Sequence, residues 1–350
     1  MTLRDKVGIL AMSVVHKLLE ETLVAYIRIH GNFNDIAEIF EIIKKAVGTK
    51  INGDPIVVHH WLVQDKGGHD MDVCVPVSES VVLGDVKSMT LESCEAMTLV
   101  HHGPYESVLD TYRQITKETY SHGLPIAESG REVFLSFDVE KPEDTIIEIQ
   151  EVLHDWDNRF SKQLGEVLGE VARSKILECY TAISHESSKE DRAQAVKCAI
   201  DMLDELATED QKFEILSPCA HVFPPELIEN MRLVYVETQS VEKVLEAMAS
   251  SGNYPKFTRK GNILHSTKEP YNRAAYDKAE TRKEKMQAYC FCPMIKYNLD
   301  EVSGSFCYCS SGWYRRLWEG ILGKQVKVEI VKSLTRDDDE CTFAVHLPEK

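Results

Sequence analysis

The chain has 350 residues, 43% of them hydrophobic, with ten cysteines and a formal net charge of −17. That length suggests two domains with ample core material, and the charge argues against strong binding to nucleic acid or an anionic membrane. No apolar run reaches the ~18–20 residues that span a bilayer, and "MTLRDKVGIL" lacks a secretory-signal pattern, so a cytoplasmic protein with mostly reduced thiols is expected.

Residues 1–153 read as an internal duplication, with copies over about 18–78 and 88–153. Gly31 and Phe33 align with Gly103 and Tyr105, and Asp72 aligns with Glu148 after a short insertion. Each copy predicts a strand, a helix and two more strands. The helices follow from apolar spacing: Phe33, Ile36, Phe40 and Ile43 in the first, Tyr105, Val108, Leu109 and Tyr112 in the second. Asn34 suits an N-cap, and Pro104 suits a first-turn position. The runs Leu23–Ile29 and Ile56–Trp61 are short and rich in β-branched and aromatic residues, as strands are. Two such units can join their sheets and leave a cleft under one helix from each half.

The second copy, "VHHGPYESVLDTYRQITKETYSHGLPIAESGREVFLSF" with "PEDTIIEIQ" after it, resembles the gyrase-inhibitor-like, or effector-binding, domain. The resemblance implies that an acidic residue on the last strand and aromatics around the cleft receive amphipathic, often cationic, small molecules. It points to Glu148, with Tyr105 and Glu132 nearby. Asp72 is the counterpart of Glu148 in the first copy, and Trp61 is either core or cleft wall. Some members of that family are hydrolases, so the alternative is a hydrolase of a small electrophilic or amide substrate that uses Glu148 or the C-terminal cysteine cluster. On pattern alone, Glu148 between Ile147 and Ile149 could equally face solvent. At most one of His101 and His102 faces inward, since neighbours on a strand point to opposite sides.

Residues 154–210 turn helical. Phe160, Leu164, Val167, Leu168 and Val171 form one stripe, and Ala195, Ala199, Met202, Leu203 and Leu206 another. They predict a helical connector, an αα-hairpin able to carry a homodimer contact. Ser188 and Asp191 form a capping pair at the start of its second arm.

Residues 211–350 hold most of the remaining cysteines. A helix carrying Trp313, Leu317, Trp318 and Ile321 should stop near Gly323, followed by an antiparallel pair, "QVKVEIV" and "CTFAVHL". This region resembles the 4-vinyl-reductase-like and aminothiazoline-carboxylate-hydrolase-like proteins, through Cys307, Gly312 and Cys341-Thr342-Phe343. The resemblance implies a small-molecule pocket. Cys290, Cys292, Cys307, Cys309 and Cys341 admit three readings: ligands of zinc or an iron–sulfur centre, buried core, or a reactive thiol. Cys74, Cys94, Cys179 and Cys198 sit singly and are expected in the core. The chain is thus expected to be an α+β protein: a duplicated β-α-β-β effector-binding domain, a helical connector and a second α+β domain. A small-molecule ligand is its expected partner, with no direct contact to nucleic acid or membrane.

Overall fold

The structure, a computed structural model, describes residues 13–65, 68–138 and 140–348, with the side chains of Asn34 and of 61–65 outside that description. The expectation for Trp61 therefore lies outside the described residues. Two compact units emerge, one of Met1–Ser121 with Ile126–His154, the other of His122–Pro125 with Asp155–Lys350. Among the described residues no helix is long and apolar enough to cross a membrane.

In the first unit the elements are β1 (Val15–Leu19), β2 (Thr22–Gly31), α1 (Phe33–Val47), β3 (Ile56–Asp65), β4 (Gly68–Pro76), β5 (Lys87–Leu91), β6 (Cys94–His102), α2 (Val108–Ser121), β7 (Ser129–Ser136) and β8 (Ile146–Val152). The eight strands make one antiparallel sheet in the order β1-β6-β8-β7-β3-β4-β2-β5. Its centre is the β3–β7 pair, and the two copies run outward from it in mirrored order, as a duplication requires. The structure adds a short strand before each copy, and these are exchanged. β1 precedes the first copy but pairs with β6 of the second, while β5 precedes the second and pairs with β2 of the first.

Helix α1 buries Ile36, Phe40, Ile43 and Val47, and each such side chain contributes roughly 1.5–3 kcal/mol by leaving water. Its cap is Asn32 rather than Asn34, which stands inside the helix. The Asn32 N–H donates to Asp35 Oδ2 at 2.8 Å, and the Asp35 N–H donates back to Asn32 O at 3.0 Å. A carboxylate at the third helical position answers the cap in this way, and fixes the helix start two residues early. In the second copy a 3₁₀ turn, Tyr105–Ser107, precedes α2, whose buried positions are Val108, Ile115 and Thr119, while Leu109 is exposed.

Register decides which side chains share a face. Val73, Val57, Glu132, Ile149 and Leu99 are successive cross-strand partners, so they form one row. This is the face that α1 and α2 cover, since Phe40 packs on Phe134 and His101 bonds Thr111. Arg28, Asp72 and Val58 form a row on the opposite face, and Val133, Glu148 and Val100 form the next.

The second unit contains α3 (Trp156–Leu168), α4 (Glu170–Leu177), α5 (Lys189–Leu206), α6 (Glu209–Leu216), α7 (Pro225–Thr238), α8 (Val241–Ser251), β9 (Thr258–Lys260), β10 (Ile263–Thr267), α9 (Arg273–Lys278), α10 (Arg282–Tyr289), α11 (Tyr308–Leu322), β11 (Lys327–Lys332) and β12 (Thr342–His346). Its antiparallel sheet has the order β11-β12-β10-β9. The stripes of α3 and α5 do not face an empty connector. Phe160, Leu164, Val196, Ala199 and Leu203 share one core with Met286, Ile295, Phe306 and Leu334. Ser188 caps α5, accepting from the Asp191 N–H at 3.1 Å. Helix α11 buries Tyr314, Leu317, Trp318 and Ile321 and ends at Gly323 in the left-handed region, with Trp313 only half-buried.

One cysteine expectation is corrected. Cys179 and Cys198 are joined in a disulfide, because the turn after α4 brings residue 179 back against α5. Cys74 is buried and free, and Cys94 is half-buried and free.

Candidate ligand site and thiol cluster

Glu132 stands at the middle of the helix-covered row and is 1% exposed. Its carboxylate accepts from Tyr112 Oη at 2.8 Å and from Tyr105 Oη at 3.1 Å. His59 Nε2, two residues along β3 from Val57, lies 3.1 Å from Glu132 Oε2, and its Nδ1 is 2.7 Å from His69 Nε2. Burial works to raise the Glu132 pKa, but the His59 charge and the bonds from His59, Tyr112 and Tyr105 outweigh it, so the carboxyl is held below its ordinary value. Burial, and then the Glu132 charge, push both tyrosines up, so they remain neutral donors. Burial, with help from His59, pushes His69 down.

An aromatic wall surrounds this acid. Phe33, at the start of α1, stacks on Tyr105 at 3.5 Å between centroids. Phe134 and Phe137 meet Phe33 at 6.4 and 5.5 Å. Phe33 and Tyr105 are the aligned positions of the two copies, and the pseudo-twofold brings their rings face to face. A second carboxyl on the same face, Glu151, is 6% exposed and accepts from Thr119 at 2.7 Å and from Thr116. Burial raises its pKa despite those hydroxyls.

Of the residues singled out from sequence, Glu132 and Tyr105 meet here. Glu148 and Asp72 are on the opposite face. Glu148 pairs with Lys17 at 2.6 Å and accepts from Gln150 at 2.7 Å. Asp72 holds Arg28 through two bonds, at 2.7 and 2.8 Å, and His60 at 2.9 Å. Burial works to raise the Asp72 pKa, but those partners hold it below the ordinary carboxylate range. His59, Tyr112, Phe33 and Glu151 were missed. Strand parity counted from Glu132 marks His59 once the β3–β7 register is known, and the i to i+7 step from Tyr105 marks Tyr112. His101 does turn inward, bonding Thr111 Oγ1 at 2.9 Å, while His102 is exposed.

In the second unit the five clustered cysteines come together from three stretches of chain. Cys290 caps the C-terminal end of α10 and Cys292 follows it in irregular chain just before a turn, not on a strand. Cys307 caps the start of α11, Cys309 is in its first turn, and Cys341 precedes β12. The Cys307 thiol lies within electrostatic reach of Cys290, Cys292, Cys309 and Cys341. Burial, reinforced by neighbouring thiols, pushes Cys292 up to about 12 and Cys309 up to about 11, and raises Cys290 and Cys341. A tetrahedral zinc site puts its sulfurs about 3.8 Å apart. Among the described residues no three cysteine sulfurs lie within 4.8 Å of one another.

Lys268, just after β10, reaches this cluster. Its Nζ donates to Ser310 Oγ at 3.2 Å and lies over the Phe291 and Phe343 rings at 5.2 and 5.5 Å. Burial disfavours its charge, but Tyr314 and the thiols of Cys341, Cys290 and Cys307 more than offset that, holding its pKa above the ordinary lysine value.

A buried anion under paired helix starts and an aromatic wall is a combination suited to a small organic ligand. Residues 12–150 match the profile of the GyrI-like small molecule binding domain, and residues 178–350 match that of a family of unknown function, DUF6144. The first unit carries a GyrI-like small-molecule-binding domain. Solved structures similar to the chain include the EcmrR C-terminal domain, 18% identical, covering 40% of this chain and 96% of that one at a TM-score of 0.37. An uncharacterized conserved protein from Listeria innocua is 13% identical, over 43% of this chain and 96% of that one, with a TM-score of 0.34. SAV2435 bound to tetraphenylphosphonium is 13% identical, over 42% and 97%, with a TM-score of 0.30. No curated protein matches the chain.

Proposed function

We propose that the first unit captures an amphipathic organic cation, with Glu132 as its counter-charge and Phe33, Tyr105, Phe134 and Phe137 as the surrounding rings. The observation that carries this reading is an ionised carboxylate at 1% exposure inside an aromatic wall. At an effective dielectric near 20, a cation about 4 Å away gains roughly 4 kcal/mol of attraction before desolvation is counted, and ring faces add about 0.5–2 kcal/mol. The Phe33–Tyr105 stack covers the acid, so the ligand enters by parting those rings.

The test is a fluorescence titration with a cationic aromatic dye. Glu132→Gln is expected to weaken binding by at least about tenfold, because the charge is lost while the shape is kept. Glu148→Gln should leave it nearly unchanged. Equal affinity of the Glu132→Gln and unsubstituted proteins would sink the proposal. The His69–His59–Glu132 chain favours a second reading, a hydrolase in which His59 carries the proton. Turnover of an electrophilic substrate panel that disappears in His59→Gln, with dye binding kept, would establish it over simple capture.

A further inference from the structure

We propose that Cys307 and Cys341 form a dithiol site in the second unit that reduces small aromatic disulfides bearing a carboxylate. Four observations place reactive groups together there. Cys307 sits at the N-terminal end of the 15-residue helix α11, two residues before Cys309. Ser333 Oγ donates to Cys307 Sγ at 3.2 Å, Thr335 Oγ1 lies 3.5 Å from the same sulfur, and Ser333 follows Lys332, the strand partner of Thr342, so it stands beside Cys341. The β11–β12 pairing thus brings the two half-buried cysteines to either side of Ser333. Lys268 faces both, and among the described residues no carboxylate pairs with it. Its ammonium, met by no carboxylate, is placed to receive an anionic group on a ligand.

Two further features fit the ligand. Ser311, one helical turn beyond Cys307 on the face it shares with Tyr314, is wholly buried and its hydroxyl has no partner. An unsatisfied buried hydroxyl is costly, and a polar ligand atom would satisfy it. Phe291 and Tyr271, 48% and 45% exposed, pack edge to face beside Lys268 and offer an aromatic mouth.

The reaction balances within the named partners. The Cys307 thiolate attacks one sulfur of the ligand. The ligand S–S bond breaks, a mixed disulfide forms, and the first leaving thiolate takes the proton that Cys307 gave up. Cys341 then attacks the Cys307 sulfur, releasing the second thiolate with the Cys341 proton. The ligand gains two electrons and becomes two thiols, while the protein loses two and holds a Cys307–Cys341 bond.

The experiment mixes full-length, reduced protein with 5,5′-dithiobis(2-nitrobenzoic acid) and follows the coloured thiolate by stopped flow. Peptide mass spectrometry without reduction then maps the bonds. The expected result is a phase at least about tenfold faster than the other thiols, releasing about two equivalents and leaving Cys307 bonded to Cys341. Cys341→Ser should release only the first equivalent rapidly and keep the adduct on Cys307. Lys268→Met should slow the phase about tenfold with this dianionic probe and much less with an uncharged dipyridyl disulfide. Absence of a fast phase, a fast bond that maps to other cysteines, or equal slowing with both probes would overturn the proposal. The mapping on unsubstituted protein decides the matter even if a variant fails to fold.

Discussion

Glu132 and Glu151 are both buried on the helix-covered face, yet their surroundings move them in opposite directions. Glu132 is answered by two phenols and an imidazole, and stays charged. Glu151 has two threonine hydroxyls, too little to offset burial. The consequences for stability have opposite signs. The lowered Glu132 pKa adds stability above the ordinary glutamate range, which is lost as pH falls through its folded value. The raised Glu151 pKa gives its greatest stability below the ordinary range and loses it as pH rises through its folded value. Glu151→Gln should therefore melt higher than the unsubstituted protein at pH 8, by roughly 3 °C for about 1 kcal/mol, with little difference at pH 4. Thermal melts at the two pH values check this. A fall at pH 8 would contradict the assignment. The sequence already offered Glu132, in "REVFL", as a neighbour of the site. Its priority over Glu148 depends on strand parity across the β3–β7 pair, a register formed between residues 56–60 and 129–133 that no local pattern carries.

The strand–helix–strand–strand order of each copy was legible from the apolar spacing, as was the pairing of Gly31–Phe33 with Gly103–Tyr105. The exchanged strands β1 and β5 were not, since five-residue strands at a sheet edge have little periodicity of their own. Close approaches between elements were equally hidden. Gly68 has φ of +138°, and a Cβ there would fall 2.1 Å from Gly31 O where β4 begins against the end of β2. Gly68→Ala is expected to cost at least ~2 kcal/mol, read as a lowered denaturant midpoint with unchanged slope. Gly312 lies within α11, where glycine is otherwise unfavourable. A Cβ there would fall 1.8 Å from Ser217 O, so the helix rests directly on the 217–219 turn. Gly312→Ala should destabilise too, although helix propensity alone predicts a gain of about 1 kcal/mol. A stabilised variant would show that contact to be slack.

At the scale of the whole chain, apolar spacing and duplication made an α+β protein readable, and composition made its acidity plain. The thiols were less readable. Spacing allowed metal, core and reactive readings alike, and it gave no sign of the bond between Cys179 and Cys198, which the fold brings together across 19 residues. A net charge of −17 predicts that duplex DNA at 0.1 M salt shows no anisotropy change on addition of the protein. Binding with a steep salt dependence would contradict that expectation and call for a local basic patch. The central claim concerns Glu132, and a crystal structure of the protein with an aromatic cation tests it most directly. The account predicts the cationic centre within about 5 Å of the Glu132 carboxylate, with the Phe33 and Tyr105 rings parted around it. A cation bound instead on the Glu148 and Asp72 face, with the Phe33–Tyr105 stack intact, would contradict it.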